Sequence, residues 1–191
     1  MKSIQITIEG TTPLICNRFT DEAQMGAESG TRPAITSGKG SPLEQAQKKL
    51  YYSTDGDTLI IPQPNMFRCI IDSGAYFKVG KSKITTQKSS LIPAGLEIEG
   101  TEIPIISQEP WRVDTRAVRI PSTGGRIPCH RPMFDSWSLS FVINIDTDMF
   151  EPKLVRELID CAGKRIGLGD FRPSCKGPFG KFVVKSWNEL N

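Results

Sequence analysis

Histidine is nearly missing from this chain, with only His130 among 191 residues, so a histidine-built metal centre is excluded. Cysteine is scarce and scattered. Cys16, Cys69, Cys129, Cys161 and Cys175 are odd in number and contain no C-x-x-C pair, which argues for reduced thiols and against a structural zinc site or a disulfide framework. No metal and no cofactor is expected. There is no apolar run of the roughly 20 residues needed to span a bilayer. The opening MKSIQITIE alternates polar with apolar residues, unlike a signal peptide. The expectation is a cytoplasmic protein with no membrane partner. Gly124 and Gly125 lack the lysine-serine ending of a Walker loop, so nucleotide hydrolysis is set aside. Carboxylates are not clustered either: Asp146 and Asp148 read as the end of a strand leading into a helix, not as nuclease metal ligands.

What is present is charge, unevenly sorted. The net charge is only +3, but residues 78–90 carry +4, residues 111–132 carry +4 and residues 163–185 carry +5, leaving −10 for the remainder. Such sorting points to a face that binds a polyanion, the other reading being solvation of three exposed loops. At this length the chain supports one well-buried core, so residues 1–191 are read as one domain carrying insertions.

The pattern along the chain gives the order of elements. Residues 3–9 alternate at period two and predict a half-buried strand ending at Gly10. From Asn17 to Ser41 the composition is polar and glycine-rich, predicting a flexible inserted loop, with the whole insertion at about 17–57. Ser41, Pro42 and Glu44 form a helix start for a short helix through Leu50. Residues 58–61 predict a strand, and residues 62–77 a buried helix capped by Asn65. Strands follow at 96–99 and 103–106, and the glycine pair 124–125 suits the tip of a basic hairpin over 111–132. A core strand at 137–145, a helix over 151–162 closed by Gly163 and a last strand over 179–187 complete the chain. The fold class is therefore α+β: a ferredoxin-like or RRM-like antiparallel sheet with two helices, an inserted loop and a protruding basic β-hairpin.

The candidate binding residues lie in the three basic segments. Gly167, Gly169, Gly177 and Gly180 allow the backbone to run close to another chain or a ligand, and Arg172, Lys176 and Lys181 make the same loop positive. Exposed amides with fixed cations suit a phosphate backbone. On the hairpin, Arg112, Arg116, Arg119, Arg126 and Arg131 can pair bidentately with phosphates and stack on unpaired bases. Their spacing is not a strict period, so one shared face is not implied. Lys81, Lys83 and Lys88 fit phosphate contact and plain solvation equally well. Phe171, Phe179 and Trp187 are candidate stacking platforms, though Phe182 and Trp187 read better as packing. His130 beside Asp135 is weak ground for acid–base chemistry, so no catalytic residue is assigned.

Two stretches resemble a known family. Residues 59–71, LIIPQPNMFRCII, resemble the strand, proline turn and helix opening of the RAMP superfamily, the RRM-like proteins of CRISPR effector complexes. Residues 166–183, from IGLGDFR to GPFGKFV, resemble the glycine-rich loop near the end of those proteins. Gln63, Pro64 and Asn65 replace the usual glycine and serines, and the span from Arg172 to Gly177 is longer than in typical members. The resemblance implies a type like the guide-RNA backbone subunit, whose copies polymerise along RNA and insert a hairpin thumb between nucleotides. The hairpin at 111–132 matches that thumb in position and charge. Processing members cleave with a histidine near the N-terminus, and His130 stands mid-chain.

Together these observations predict a non-enzymatic protein that coats single-stranded RNA or DNA as a homo-oligomer with low sequence specificity. Two rivals stand beside it. One is a phage inhibitor that caps or imitates such a subunit by binding CRISPR effector subunits; the other is an RNA endonuclease.

Overall fold

A computed structural model describes residues 1–30, 40–119 and 124–190. In chain order the strands and helices are β1 (Lys2–Gly10), β2 (Leu14–Ile15), α1 (Asp21–Glu28), α2 (Pro42–Gln47), β3 (Ile60–Pro62) and α3 (Gln63–Ser73). A 3-10 turn (Gly74–Tyr76), β4 (Lys78–Val79), β5 (Ser82–Lys83), α4 (Ile92–Gly95), β6 (Leu96–Ile98) and β7 (Glu102–Ile106) follow. The chain then forms β8 (Arg112–Arg119), β9 (Arg126–Phe134), β10 (Ser138–Ile145), α5 (Pro152–Cys161), a π-helical turn (Ala162–Ile166) and β11 (Phe182–Leu190).

The main sheet has six strands in the order β11-β1-β10-β7-β3, with β6 also paired to β10, and every pairing is antiparallel. Alternation dictates which face is covered. Ile4, Ile6 and Ile8 on β1 and Leu139, Ile143 and Ile145 on β10 are fully buried, together with Met66 and Ile70 of α3 and Val155, Leu158 and Ile159 of α5. Burial of side chains this size is worth about 1.5–3 kcal/mol each, which fixes the register against a one-residue slip. The opposite face is a self-bonded polar layer: Ser3 Oγ donates to Asn144 Oδ1 (2.6 Å), and Gln5 Nε2 donates to Ser140 Oγ (2.9 Å). The architecture is α+β with antiparallel sheets and few helices, in keeping with the RRM-like expectation.

Local details refine the sequence reading. Ser41 Oγ accepts from the Glu44 N–H and the Glu44 carboxylate accepts from the Ser41 N–H, a capping box that starts α2 as the sequence pattern predicts. Asn65 does not cap α3: the helix starts two residues earlier, and the Gln63 N–H donates to the Thr101 carbonyl (2.9 Å), which replaces a side-chain cap. The inserted segment is not all loop, because residues 21–28 form α1. Its residues 31–39 lie outside the described residues. Gly163 does not close α5; it sits in the π-helical turn, where a Cβ would collide with the Phe182 carbonyl, and the turn ends at Gly167 with φ +77°. The last strand begins at Phe182, since residues 177–180 belong to the glycine-rich loop.

Candidate nucleic-acid interface

The basic hairpin forms as the sequence predicts, with β8 and β9 in register from Arg112 opposite Met133 to Arg119 opposite Arg126. Of its expected tip, Gly124 and Gly125 are among the described residues and 121–123 are not. The base of the hairpin is anchored by β2, which pairs with β9 through Leu14 and Ile15. It is also tied by charge. Arg131 is 4% exposed; its NH1 donates to Asp170 Oδ2 (2.7 Å) and its NH2 to Asp114 Oδ2 (3.3 Å). Arg116 Nε donates to Asp114 (3.0 Å), and its guanidinium stacks over the Phe179 ring at 4.8 Å. The hairpin root and the glycine-rich loop therefore form one unit.

The expected arginine set divides accordingly. Arg131 is not a surface contact: it stands in the run of buried residues 131–134 of β9, with both of its carboxylate partners beside it. Arg112 pairs with Asp135 through two hydrogen bonds (2.5 and 2.9 Å), and the bonded guanidinium holds the Asp135 carboxyl below its ordinary range. Arg119 and Arg126 lie opposite each other near the outer end, exposed, with no carboxylate in ion-pair contact among the described residues.

The glycines of the loop mainly serve the loop. A Cβ at Gly169 would strike the Ile15 carbonyl, one at Gly177 the Phe171 carbonyl and one at Gly180 the Leu168 carbonyl. Their close approaches are to their own chain. The folded loop nonetheless closes one side of a cleft of about 250 Å³. Residues Gly167 and Gly169, Arg172, Arg68, Asn17, Asn65 and Tyr51 line it. Arg172 is steadied by donating to the Gly169 carbonyl (2.8 Å), and Arg68 by Asp72 (2.8 Å). Burial pushes the Tyr51 hydroxyl up, so it remains protonated and able to donate at neutral pH. Burial likewise pushes the Cys16 thiol up to about 12 and the Cys69 thiol higher still, so neither cysteine lining this cleft supplies a thiolate nucleophile. Lys176 is exposed and Lys181 half-buried at the far end of the loop.

The lysine segment is carried by separate elements. Lys81 and Lys83 sit on the small β4–β5 hairpin, which packs against the end of α3, and Lys88 tops a turn held by Thr86 and Ser89.

His130 and Asp135 do not pair. His130 Nδ1 bonds Thr115 Oγ1 across the hairpin (2.8 Å), its carbonyl accepts from Lys49 Nζ (2.8 Å), and Asp135 is held by Arg112. Among the described residues no three histidine, cysteine or acidic side chains are grouped as metal ligands, and no helix is long and apolar enough to cross a membrane. The cysteines are unpaired. Among the described residues, the open face of β1 and β10 carries Ser3, Gln5, Thr7, Ser140, Val142 and Asn144, with no aromatic ring of the kind an RRM uses as a platform. Phe171 and Phe179 pack on each other at 6.0 Å, Trp187 packs against the core and Phe182 is within it. Sequence reasoning missed Arg68, placed in a helix read as buried, and Tyr76, placed in the same helix although α3 ends at Ser73. Gly74 was the available signal for that end.

No protein-family model matches the chain, and no curated protein sequence matches it. Among solved structures it is similar to a chain of the type III-B Cmr-beta complex bound to cognate target RNA, determined by cryo-EM, with a TM-score of 0.59 and 11% identity. The match covers 100% of this chain and 61% of that one, so this chain spans about three fifths of its neighbour's length. At this identity the likeness is one of fold.

Proposed function

We propose that this protein binds single-stranded nucleic acid, RNA first, through the β8–β9 hairpin and the cleft beside the glycine-rich loop. The carrying observation is the anchored hairpin: its root arginines are engaged with Asp114, Asp135 and Asp170, while Arg119 and Arg126 are exposed near its outer end and make no ion pair among the described residues. The fold supports the reading in kind. Strand order β11-β1-β10-β7 with helices after β1 and β10 is that of a ferredoxin-like, RRM-like sheet, and the similar Cmr-beta chain belongs to a complex bound to target RNA. Binding is by backbone charge and stacking, with low sequence specificity, and copies line up along the strand as subunits of a larger assembly. No strand cleavage accompanies it.

Fluorescence anisotropy with labelled single-stranded RNA, single-stranded DNA and duplex at several salt concentrations tests this reading. The expected result is salt-sensitive binding of single strands, with intact oligonucleotide afterwards, and a log–log salt slope that falls by about 1.4 in an Arg119→Glu/Arg126→Glu variant, about 0.7 per lost cation. Absence of binding at low salt overturns it and leaves the protein-capping inhibitor as the better account; cleavage of the strand favours the nuclease.

A further inference from the structure

The β4–β5 hairpin contains a like-charge pair that the fold itself does not explain. Lys78 and Lys83 are direct cross-strand partners, both exposed, and Lys81 stands at the adjacent turn beside Gly80, whose φ of +59° suits a tight two-residue loop. Like charges directly opposite one another destabilise a strand pair. Among the described residues, no carboxylate makes an ion pair with any of the three. Next to this hairpin Tyr76 is 54% exposed, an unusual position for so large an aromatic ring. Its placement is built. Gly74 lets the end of α3 sit against Thr85, where a Cβ would meet the Thr85 hydroxyl, and the Thr85 N–H donates to the Gly74 carbonyl. From the other side the π-helical turn carries Arg165 over the Tyr76 ring at 4.8 Å. The same turn supplies Ile166 to the cleft, and α3 supplies Arg68 and Asp72 to it. Arg68 and Asp72 are four residues apart on α3, and Tyr76 follows in the 3-10 turn that continues it, about 13 Å along from Arg68.

We infer that Tyr76, flanked by Arg165, is a stacking platform for an unpaired base, and that Lys78, Lys81 and Lys83 take the phosphates beside it, extending the strand's path beyond the cleft. This rests on the single-strand reading above and adds a second contact site to it. An aromatic ring gripped by a guanidinium offers a flat surface to any base, and a polyanion supplies the lysines with a counter-charge.

The test uses a labelled 20-nucleotide oligouridylate and its deoxy-thymidine counterpart, the two arms separating RNA from DNA as the source of the same chemistry. Tyr76→Leu is expected to weaken binding about 5- to 100-fold with an unchanged salt slope. Lys78→Gln/Lys83→Gln is expected to lower the slope by about 1.4. Wild-type protein irradiated with 5-iodouridine RNA is expected to give an adduct at Tyr76, a readout independent of any variant's folding. Should both variants bind as wild type and no adduct form at Tyr76, while Arg119→Glu/Arg126→Glu still weakens binding, the second site is wrong and the main reading survives. Loss of wild-type binding altogether removes both.

Discussion

The two basic hairpins of this protein solve the problem of concentrated positive charge in opposite ways. On β8–β9 the root arginines are matched internally by Asp114, Asp135 and Asp170, while the outer pair, Arg119 and Arg126, makes no ion pair among the described residues. On β4–β5 the lysines face each other with nothing of opposite sign in ion-pair contact among the described residues. Arginine at the root acts as a structural rivet because its planar fork reaches two carboxylates at once. Lysine on a short exposed hairpin retains its water and its freedom to meet a partner. Net charge of a segment, +4 both for residues 78–90 and for residues 111–132, therefore says little about how much of it is available to a ligand.

Removing the rivet is the largest break in that comparison. Arg131→Ala leaves Asp114 and Asp170 without their buried partner and should destabilise the fold by about 3–5 kcal/mol, read by urea denaturation, whereas Lys83→Gln should stay within about 0.5 kcal/mol of wild type. Alkali should loosen the same anchored region. Cys16 sits where β2 meets the loop, its N–H donating to the Pro132 carbonyl, and burial pushes its thiol up to about 12 from an ordinary value of 9.0. The unfolded thiol releases its proton near pH 9 and the folded one does not, so stability falls as pH rises between the two values, by up to about 1.4 kcal/mol per unit. Thermal melts from pH 8 to 11 should show a decline that Cys16→Ala reduces. The smallest effect is the most discriminating: Lys83→Glu replaces repulsion with attraction to Lys78 and should stabilise the small hairpin by about 0.2–1 kcal/mol while weakening nucleic-acid binding. A variant that is more stable and binds less well would separate the lysines' folding role from their binding role.

Much of the sheet was legible because its signal is local. Alternation at residues 3–9 and 137–145 reports burial directly, and proline early in α5 marks its start. The inward turn of Arg131 was not legible, because the hairpin's arginines follow no strict period and the carboxylates that draw Arg131 in come from β8 and from a loop 39 residues away. One hint was available: Asp114 is the single acid among five arginines in residues 111–132, and a lone acid there invites a buried pair. Gly163 was misread because glycine late in a helix usually marks its end, and here it marks a crossing with β11. The glycine-rich loop was recognisable as a feature, but its glycines answer to the loop's own carbonyls, a demand that composition cannot distinguish from a ligand's.

The π-helical turn after α5 has a consequence for how this chain can vary. Such a turn holds one residue more than an α-helical turn, and each residue in a helix advances its neighbours by about 100°. Loss of a single codon within 162–166 would restore an ordinary helical turn while swinging Arg165 away from Tyr76 and shifting the frame of every side chain that follows into the cleft. The segment is therefore tolerant of exchanged letters on its exposed side, at Lys164 for instance, and intolerant of a change in count.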